Sequence, residues 1–297
     1  MKKIHIFGII TLVILASCTL IFATKANVNS SETRKGTAQY FPSEVDFAGE
    51  KTPLTIADVK ERFDRELLIN ANLHSSTILI IKRANRAFPI IEPILKQYGV
   101  PDDFKYLAVI ESALVNAVSP AGARGIWQFM PDTAKEKGME VSESVDERYH
   151  LIKSTEAACK YLLAAKQKFG NWTLAAASYN GGMTGVNTKI TEQKVSDYYD
   201  LLLTDETSRY VFRILALKEI MKNATSYGFQ LSNNELYEII PTKKIVVDST
   251  ITDLATFAKT QGINYKILKI HNPWLRDKKL SNPTKKKYEL EIPLSGY

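Results

Sequence analysis

Residues 111–134, ESALVNAVSPAGARGIWQFMPDTA, combine an acid, a loop of small residues and a group of large side chains. The stretch begins with a carboxylate, Glu111, which directly follows the apolar run of residues 106–110. A loop rich in Ser, Pro, Ala and Gly comes next and leads into the large side chains of residues 127–130. Small residues allow a ligand or another backbone to approach closely. The stretch therefore predicts an acidic side chain beside a loop that a ligand or another segment of backbone can approach closely.

The residues before Glu111 predict the surroundings of its carboxyl. Phe104, Leu107, Ala108 and Glu111 share one helical face, and the other side of the same helix is apolar as well. We expect such a helix to be buried nearly all round, which would partly desolvate the carboxyl. Desolvation raises the pKa of an acid, as a general acid near neutral pH requires. The pattern also fits an exposed glutamate at a helix end or one in a structural salt bridge.

Composition limits the classes of partner and cofactor. The chain has 297 residues and a formal net charge of +7, which suits an ordinary basic surface protein or one that binds an anionic polymer. No Arg/Lys-rich arm or aromatic-basic RNA motif appears, so we predict no nucleic-acid partner. The four histidines show no ligand spacing, and we predict neither a metal site nor a cofactor. Cys159 lies in an Ala-rich helical pattern and is interpreted as a small buried side chain.

The N-terminus predicts the compartment. A basic start is followed by a nearly apolar segment, and residues 1–25 are predicted to be an export signal or anchor. Residues 15–18, Leu-Ala-Ser-Cys, resemble the lipobox of bacterial lipoproteins, which makes Cys18 the candidate for lipidation. An uncleaved anchor helix and cleaved soluble export are the alternatives. We expect a protein of the cell envelope that faces the periplasm or the exterior, held at the membrane by its anchor or its lipid, with an outer-membrane lipoprotein as the preferred form.

Three further segments follow the anchor. Residues 26–55 are polar and predicted to be a linker, residues 56–228 a helical domain, and residues 229–297 a small module. In the helical domain we expect helices over 56–68, 75–88, 90–98, from 102 onwards, 154–169, 172–179 and 206–227. The module predicts a β-α-α-β unit, with strands at 244–248 and 288–293. The predicted fold class is therefore mainly α, followed by a small α+β module.

Three separated motifs resemble one family. They are Glu111-Ser112 with Ser119–Ala134, then Ser178-Tyr-Asn-Gly-Gly182, then Glu206-Thr-Ser-Arg-Tyr-Val211. In this order they resemble the signatures of the soluble-type, goose-lysozyme-like lytic transglycosylases. The tail, with its Asn272-Pro-Trp-Leu275, is similar to a LysM module. The combination resembles membrane-bound murein transglycosylases with a C-terminal LysM module, and the resemblance implies a lysozyme-like, all-α catalytic domain.

The resemblance also implies an activity and a site. It implies cleavage of the MurNAc-β-1,4-GlcNAc bond of peptidoglycan strands without water, leaving 1,6-anhydroMurNAc ends. Glu111 would be the only catalytic acid and base, and Ser119 would shape the loop beside it. The residues expected to contact the glycan are Gln128 as hydrogen-bonding partner, Met130 as apolar floor, and Tyr179, Asn180, Glu206 and Tyr210 as the opposite wall. Trp127 and Phe129 are interpreted as core residues.

Two other functions fit the same residues. A hydrolytic muramidase would cut the same bond with a water, and Glu206 is then the best candidate for the base. A non-catalytic peptidoglycan-binding protein is the second alternative. The tail is expected to be dispensable for chemistry and to help retain the protein on the wall, unless it is a packing module without sugar affinity. The sequence indicates no oligomeric state.

Overall fold

Helices make up most of the first folded part of the chain. The computed structural model describes residues 40–295. Its helices in this part are α1 (Ala57–Asn72), α2 (His74–Tyr98), α3 (Lys105–Ser112), α4 (Pro131–Glu136), α5 (Leu151–Phe169), α6 (Trp172–Gly181), α7 (Met183–Gln193) and α8 (Asp205–Lys222). Short 3-10 turns lie at Asp102–Phe104, Glu147–Tyr149, Tyr198–Asp200, Ala224–Tyr227 and Asn233–Glu235. The predicted mainly α fold class is confirmed.

Helix α8 lies at the centre of this helical domain. It packs against α1, α3 and α6, and its side chains are buried along most of its length. Thr204 caps its N-terminus, and Asp205 and Glu206 lie in the first turn, where acids are favoured by the helix dipole. The short helix α3, which ends just after Glu111, is therefore held against a buried and well-capped neighbour.

Helix α2 differs from the prediction, because it runs unbroken through Pro89 and Pro93. The sequence predicted two helices that divide at Pro89. A proline inside a helix removes one hydrogen bond and costs roughly 3 kcal/mol. The buried stripe from Ile80 through Ala87 to Leu95 runs along one side of α2, which packs against α5. Packing along the whole stripe outweighs the local preference for a break.

The N-terminal part of the described chain belongs to the fold. Two short strands, β1 (Asp46–Phe47) and β2 (Glu50–Lys51), form an antiparallel pair. Phe47 is fully buried in the main hydrophobic cluster and contacts the ring of Phe104 at 5.0 Å between centroids. Residues 41–51 were expected to be linker, but Phe47, the ring of Phe41 against Phe63 and hydrogen bonds of Glu50 attach them to the helical domain.

The C-terminal module has the predicted β-α-α-β order. Its elements are β3 (Thr242–Val247), α9 (Leu254–Thr260), α10 (Tyr265–His271) and β4 (Tyr288–Pro293). Strands β3 and β4 are antiparallel and pair over their full length, from Thr242 opposite Pro293 to Val247 opposite Tyr288. The two helices cover the sheet through buried side chains such as Leu254 and Leu268.

The module shares its hydrophobic cluster with the helical domain. Val145 and Tyr149 of the helical domain are buried in the same cluster as Trp274, Leu275 and the strand residues of the module. Val145 and Leu275 also form an antiparallel bridge. The tail was expected to be self-contained, and the structure differs because a loop of the helical domain completes its core. The division at residue 228 stays a prediction.

The predicted anchor, including Cys18, lies outside the described residues. Between residues 40 and 295, none of the helices combines the length and the hydropathy that crossing a bilayer requires.

Glu50 and Glu44 offer a test of the role of the N-terminal segment. The Glu50 carboxylate accepts hydrogen bonds from the backbone N–H groups of Trp172 and Thr173, at 2.6 and 2.8 Å, in the first turn of α6. We expect Glu50→Ala to lower the free energy of unfolding by about 1–2 kcal/mol, as loss of a helix cap does. Glu44 makes only an exposed pair with Lys51. Glu44→Ala should therefore change the free energy of unfolding by less than about 0.5 kcal/mol in the same urea titration. Equal effects of the two substitutions would contradict the capping role of Glu50.

Candidate active site

Glu111 lies at the C-terminal end of α3 with its carboxyl half-buried. The hydroxyl of Tyr210, on α8, donates a hydrogen bond to Oε1 of Glu111. Tyr210 is 1% exposed, so its ring fixes the direction from which the hydroxyl arrives. Oε2 has no hydrogen-bond partner among residues 40–295 and is the oxygen left for a ligand.

Burial raises the pKa of Glu111 to about 7. The hydrogen bond from Tyr210 and the positive charge of Arg213 act in the opposite direction, whereas the negative charge of Glu206 raises the pKa further. Burial, followed by the negative charge of Glu111, raises the pKa of both Tyr179 and Tyr210. The pKa shift predicted from the apolar helix is confirmed, and desolvation is its largest cause.

Three polar side chains hold the end of α3 in place. Arg213 donates to the carbonyl oxygen of Ile110 at 3.0 Å, and Arg83 donates to that of Ala113 at 3.3 Å. Ser112 donates to the carbonyl oxygen of Ile126 at 2.8 Å, which ties the helix to the loop beyond it. Ala113 and Leu114 both have positive φ, 51° and 59°, so the chain leaves the helix through a strained turn directly after the acid.

Residues 117–130 form the loop beside Glu111, hereafter the active-site loop. Ser119 accepts a hydrogen bond from the backbone N–H of Ala123 at 3.0 Å, so it shapes the loop as expected. Gln128 was expected to hydrogen-bond the glycan, but its side-chain nitrogen is already bonded within the loop. Its side-chain nitrogen donates to the carbonyl oxygens of Ala117 and Gly125, at 3.2 and 2.7 Å, and its φ is 50°. Only Oε1 of Gln128 therefore remains to accept from a sugar hydroxyl.

The three large side chains around Gln128 separate as predicted into core and surface. Trp127 and Phe129 are buried, and the indole N–H of Trp127 donates to the hydroxyl of Thr155 at 2.8 Å. Met130 is 43% exposed, which leaves an apolar surface at the end of the loop.

The other predicted residues form a connected wall. Tyr179, near the end of α6, donates its hydroxyl to the carbonyl oxygen of Trp127 at 2.8 Å. Asn180 donates to the exposed Glu206 at 3.0 Å and accepts from Thr207 at 2.7 Å. These bonds join the end of α6 to the start of α8. The second and third motifs are therefore in contact, although they are 26 residues apart between Asn180 and Glu206.

Sequence reasoning missed the side chains that support this arrangement. Arg213 and Thr207 lie within or just beyond the third motif, and their helical spacing from Glu206 and Tyr210 was the available signal. Arg148 and Asp146 support the active-site loop from a distant segment, and no sequence motif marked them. Burial raises the pKa of the Cys159 thiol to about 12, which fits its interpretation as a packing residue. Within residues 40–295, no cluster of His, Cys, Asp or Glu has the composition to hold a metal ion.

Comparisons with known proteins identify related domains and relatives of this chain. The model of the transglycosylase SLT domain matches residues 88–202, and that of the soluble lytic transglycosylase C-terminal LysM-like domain matches residues 243–296. The chain is 30% identical over 235 residues to membrane-bound lytic murein transglycosylase D of Escherichia coli K12, a match covering 76% of this chain. The protein of the same name from strain O6:H1 gives the same values. The chain spans about half the length of these curated relatives, 50% in each case.

The SLT match contains Glu111, the active-site loop, Tyr179 and Asn180, and it ends just before Glu206 and Tyr210. The chain is thus homologous to a lytic murein transglycosylase and carries a transglycosylase SLT domain followed by a LysM-like domain of the soluble lytic transglycosylase type.

Proposed function

We propose that this chain is a peptidoglycan lytic transglycosylase that cleaves the MurNAc-β-1,4-GlcNAc bond and leaves 1,6-anhydroMurNAc ends. The observation that carries the proposal is the half-buried carboxyl of Glu111, whose pKa of about 7 keeps much of it protonated near neutral pH. The SLT match and the similarity to transglycosylase D support the substrate and the reaction class.

The proton balance of the proposed reaction needs one carboxyl group. Glu111 donates its proton to the glycosidic oxygen as the bond from that oxygen to C1 of MurNAc breaks. The 6-hydroxyl of the same sugar then attacks C1, and its proton returns to Glu111. Because the nucleophile belongs to the substrate, its effective molarity is high and no water has to be positioned. Since Tyr210 donates to Oε1, Oε2 is the oxygen that carries the proton.

The position of Glu206 favours transglycosylation over hydrolysis. Most glycosidases use two carboxylates, of which one activates water or acts as nucleophile. Glu206 is the acid that influences the pKa of Glu111, but it is exposed and bonded to Asn180. A side chain already engaged in joining α6 to α8 suits binding of the glycan better than activation of a water.

The remaining predicted residues take binding roles in this proposal. Oε1 of Gln128 and the exposed surface of Met130 contact the glycan from the loop side. Asn180 and Glu206 form the opposite wall, and the hydroxyls of Tyr179 and Tyr210 support it by holding the loop and Glu111. Residues 229–297 form the LysM-like module, whose affinity for GlcNAc is part of the proposal.

We also propose that the protein works at the membrane of the cell envelope. The support is the apolar segment within residues 1–25, the lipobox-like sequence ending at Cys18, and a relative that is named as membrane-bound. Labelling with a radioactive fatty acid in cells tests the lipoprotein form, because Cys18→Ser abolishes incorporation only if Cys18 is the lipidated residue.

Glu111→Gln should retain the fold and lower cleavage of purified sacculi by roughly 10²–10⁴-fold, the usual contribution of a general acid. The amide keeps the shape and accepts from Tyr210 but cannot give up and recover the proton. The comparison variant, Glu206→Gln, should lower the rate far less, because it alters one contact of the wall and leaves the acid in place. Mass spectrometry of the released muropeptides before borohydride reduction should show ends that are one water lighter than hydrolytic ends.

Two results would contradict these assignments. Wild-type cleavage by Glu111→Gln would exclude Glu111 as the acid. A majority of reducible MurNAc ends, lost in Glu206→Gln, would instead establish a muramidase with Glu206 as its base.

The pH dependence should follow Glu111 and shift with Tyr210. We expect kcat/KM to fall as the pH rises through about 7, since the protonated acid is the active form. Tyr210 stabilises the anion, so Tyr210→Phe should raise the pKa and move this limb of the profile to higher pH. The matched variant Tyr198→Phe removes a buried hydroxyl that donates to backbone oxygens of α8, away from the acid. It should leave the limb unchanged, and a shift of the limb to lower pH in Tyr210→Phe would contradict the model.

The free energy of unfolding should also depend on the ionisation of Glu111. The pKa of Glu111 is higher in the folded chain than the ordinary value of 4.5, so the folded state binds more protons between pH 4.5 and about 7. The wild type therefore loses stability as the pH rises from 4.5 to about 7, relative to Glu111→Gln. Urea titrations at about pH 5 and about pH 8 should show a larger advantage of Glu111→Gln at the higher pH. An advantage that shrinks with rising pH would show that burial does not raise this pKa.

A further inference from the structure

The segment of residues 144–149, hereafter the junction segment, contacts both the active-site loop and the C-terminal module. We propose that the module is a structural part of the active site, because it holds the junction segment, whose Arg148 positions the active-site loop beside Glu111. This proposal rests on the proposed function for its catalytic consequence. It assigns positioning roles to Asp146 and Arg148, neither of which contacts the acid.

Arg148 fixes the loop by its backbone. One nitrogen of its guanidinium donates to the carbonyl oxygens of Gly122 and Phe129, at 3.2 and 3.1 Å. These oxygens lie on either side of Gln128 along the active-site loop. Arg148 is 3% exposed, so both bonds are shielded from water and charge-assisted.

Asp146 orients Arg148. Its carboxylate accepts from Nε and Nη2 of Arg148, at 2.9 and 2.8 Å, in a bidentate pair. Arg124, within the loop, lies 3.5 Å from the same carboxylate. A buried guanidinium with a fixed bidentate partner has little freedom to follow a loop that moves, so the pair acts as a rigid support.

The loop and the junction segment also approach closely at Gly125. A β-carbon at this position would lie 1.9 Å from the carbonyl oxygen of Arg148, and φ of Gly125 is 83°. The backbone of one segment therefore sets the position of the other, independently of the hydrogen bonds.

The module in turn supplies the backbone partners of the junction segment. The N–H of Asp146 donates to the carbonyl oxygen of Trp274 at 2.9 Å, and the N–H of Arg276 donates to that of Ser144 at 2.8 Å. Val145 is fully buried in the cluster of the module. These contacts immediately flank the residue that orients Arg148.

Side chains reinforce this interface. The guanidinium of Arg276 lies 4.1 Å from the ring centroid of Tyr149. Lys286 bridges Glu140 and Glu147, at 2.6 and 3.2 Å, and the Tyr288 hydroxyl donates to Glu140 at 2.9 Å. Glu147 and Tyr149 belong to the junction segment and Glu140 lies shortly before it, so the module holds the segment together with the residues that lead into it.

The position of the loop matters for the acid through two backbone oxygens. The carbonyl oxygen of Ile126 accepts from Ser112, next to Glu111, and that of Trp127 accepts from Tyr179. Displacing the loop would break these bonds and admit water to the carboxyl. The acid would then lose the desolvation that raises its pKa.

The test uses three variants of residues 27–297. Arg148→Lys keeps the charge but loses the planar fork, and Val145→Ala weakens the contact with the module. Val247→Ala makes the same deletion in the same hydrophobic cluster, but on strand β3 of the module itself. All are compared at a temperature at which circular dichroism shows them folded, and Asp146→Asn replaces Arg148→Lys if the latter does not fold.

The first readout is amide hydrogen exchange in residues 117–130, which needs no activity. We expect these amide hydrogens to exchange at least about tenfold faster in Arg148→Lys and in Val145→Ala, the effect of losing a buried hydrogen bond to a charged group. Their exchange rates should not change in Val247→Ala. Unchanged exchange in both junction variants overturns the proposal. Faster exchange in Arg148→Lys alone would contradict the role of the module. Equally faster exchange in Val247→Ala would show general destabilisation and would also contradict that role.

The second readout is the pH profile of cleavage. The fall of kcat/KM with rising pH should begin at lower pH in Arg148→Lys and in Val145→Ala, because a more solvated Glu111 has a lower pKa. An unchanged limb together with a loosened loop overturns the link to the acid. If the wild-type chain does not cleave glycan at all, the proposed function fails, and the exchange measurement still decides whether the module positions the loop.

Discussion

The carboxyl of Glu111 has to be desolvated enough to hold a proton near neutral pH and still be reached by a ligand. Desolvation of an acid costs free energy, and the surrounding structure must offset it. Tyr210 supplies a hydrogen bond and Arg213 a nearby positive charge, both from α8, the helix that packs against α1, α3 and α6. Most of the architecture can be understood as the support of that helix and of the loop across from it.

Local patterns were sufficient to predict the burial around Glu111, whereas its role as the acid came from the resemblance to a family and stays a prediction. The apolar faces around Glu111 predicted its burial and the direction of its pKa shift, since helical periodicity depends on neighbours three and four residues apart. The interpretation of Trp127 and Phe129 as core residues is confirmed, and Met130, which the resemblance implied to line the site, is exposed. The β-α-α-β order of the tail followed from alternation and β-branched runs, which are local as well.

Long-range contacts account for what the sequence did not predict. The amide of Gln128 turns into its own loop, and Arg148 supports that loop from a segment without a motif. Phe47 joins the core from a polar stretch, and α2 continues through two prolines because its buried face is packed throughout. In each case tertiary packing overrides a local preference, and a single sequence does not contain that information in readable form.

The contacts between Glu140 and the residues Lys286 and Tyr288 join parts of the chain that are 146 and 148 residues apart. During synthesis, the N-terminal part of a protein emerges and begins to fold first. The junction segment would then wait for its partners until strand β4 has left the ribosome, and its backbone groups would meanwhile be hydrated. Closing so long a loop adds little to the entropic cost, about 0.6 kcal/mol for each doubling of length, but contacts of such separation form slowly. If the module positions the active-site loop as proposed, the support of that loop is completed among the last events of folding, when the nascent chain is nearly whole.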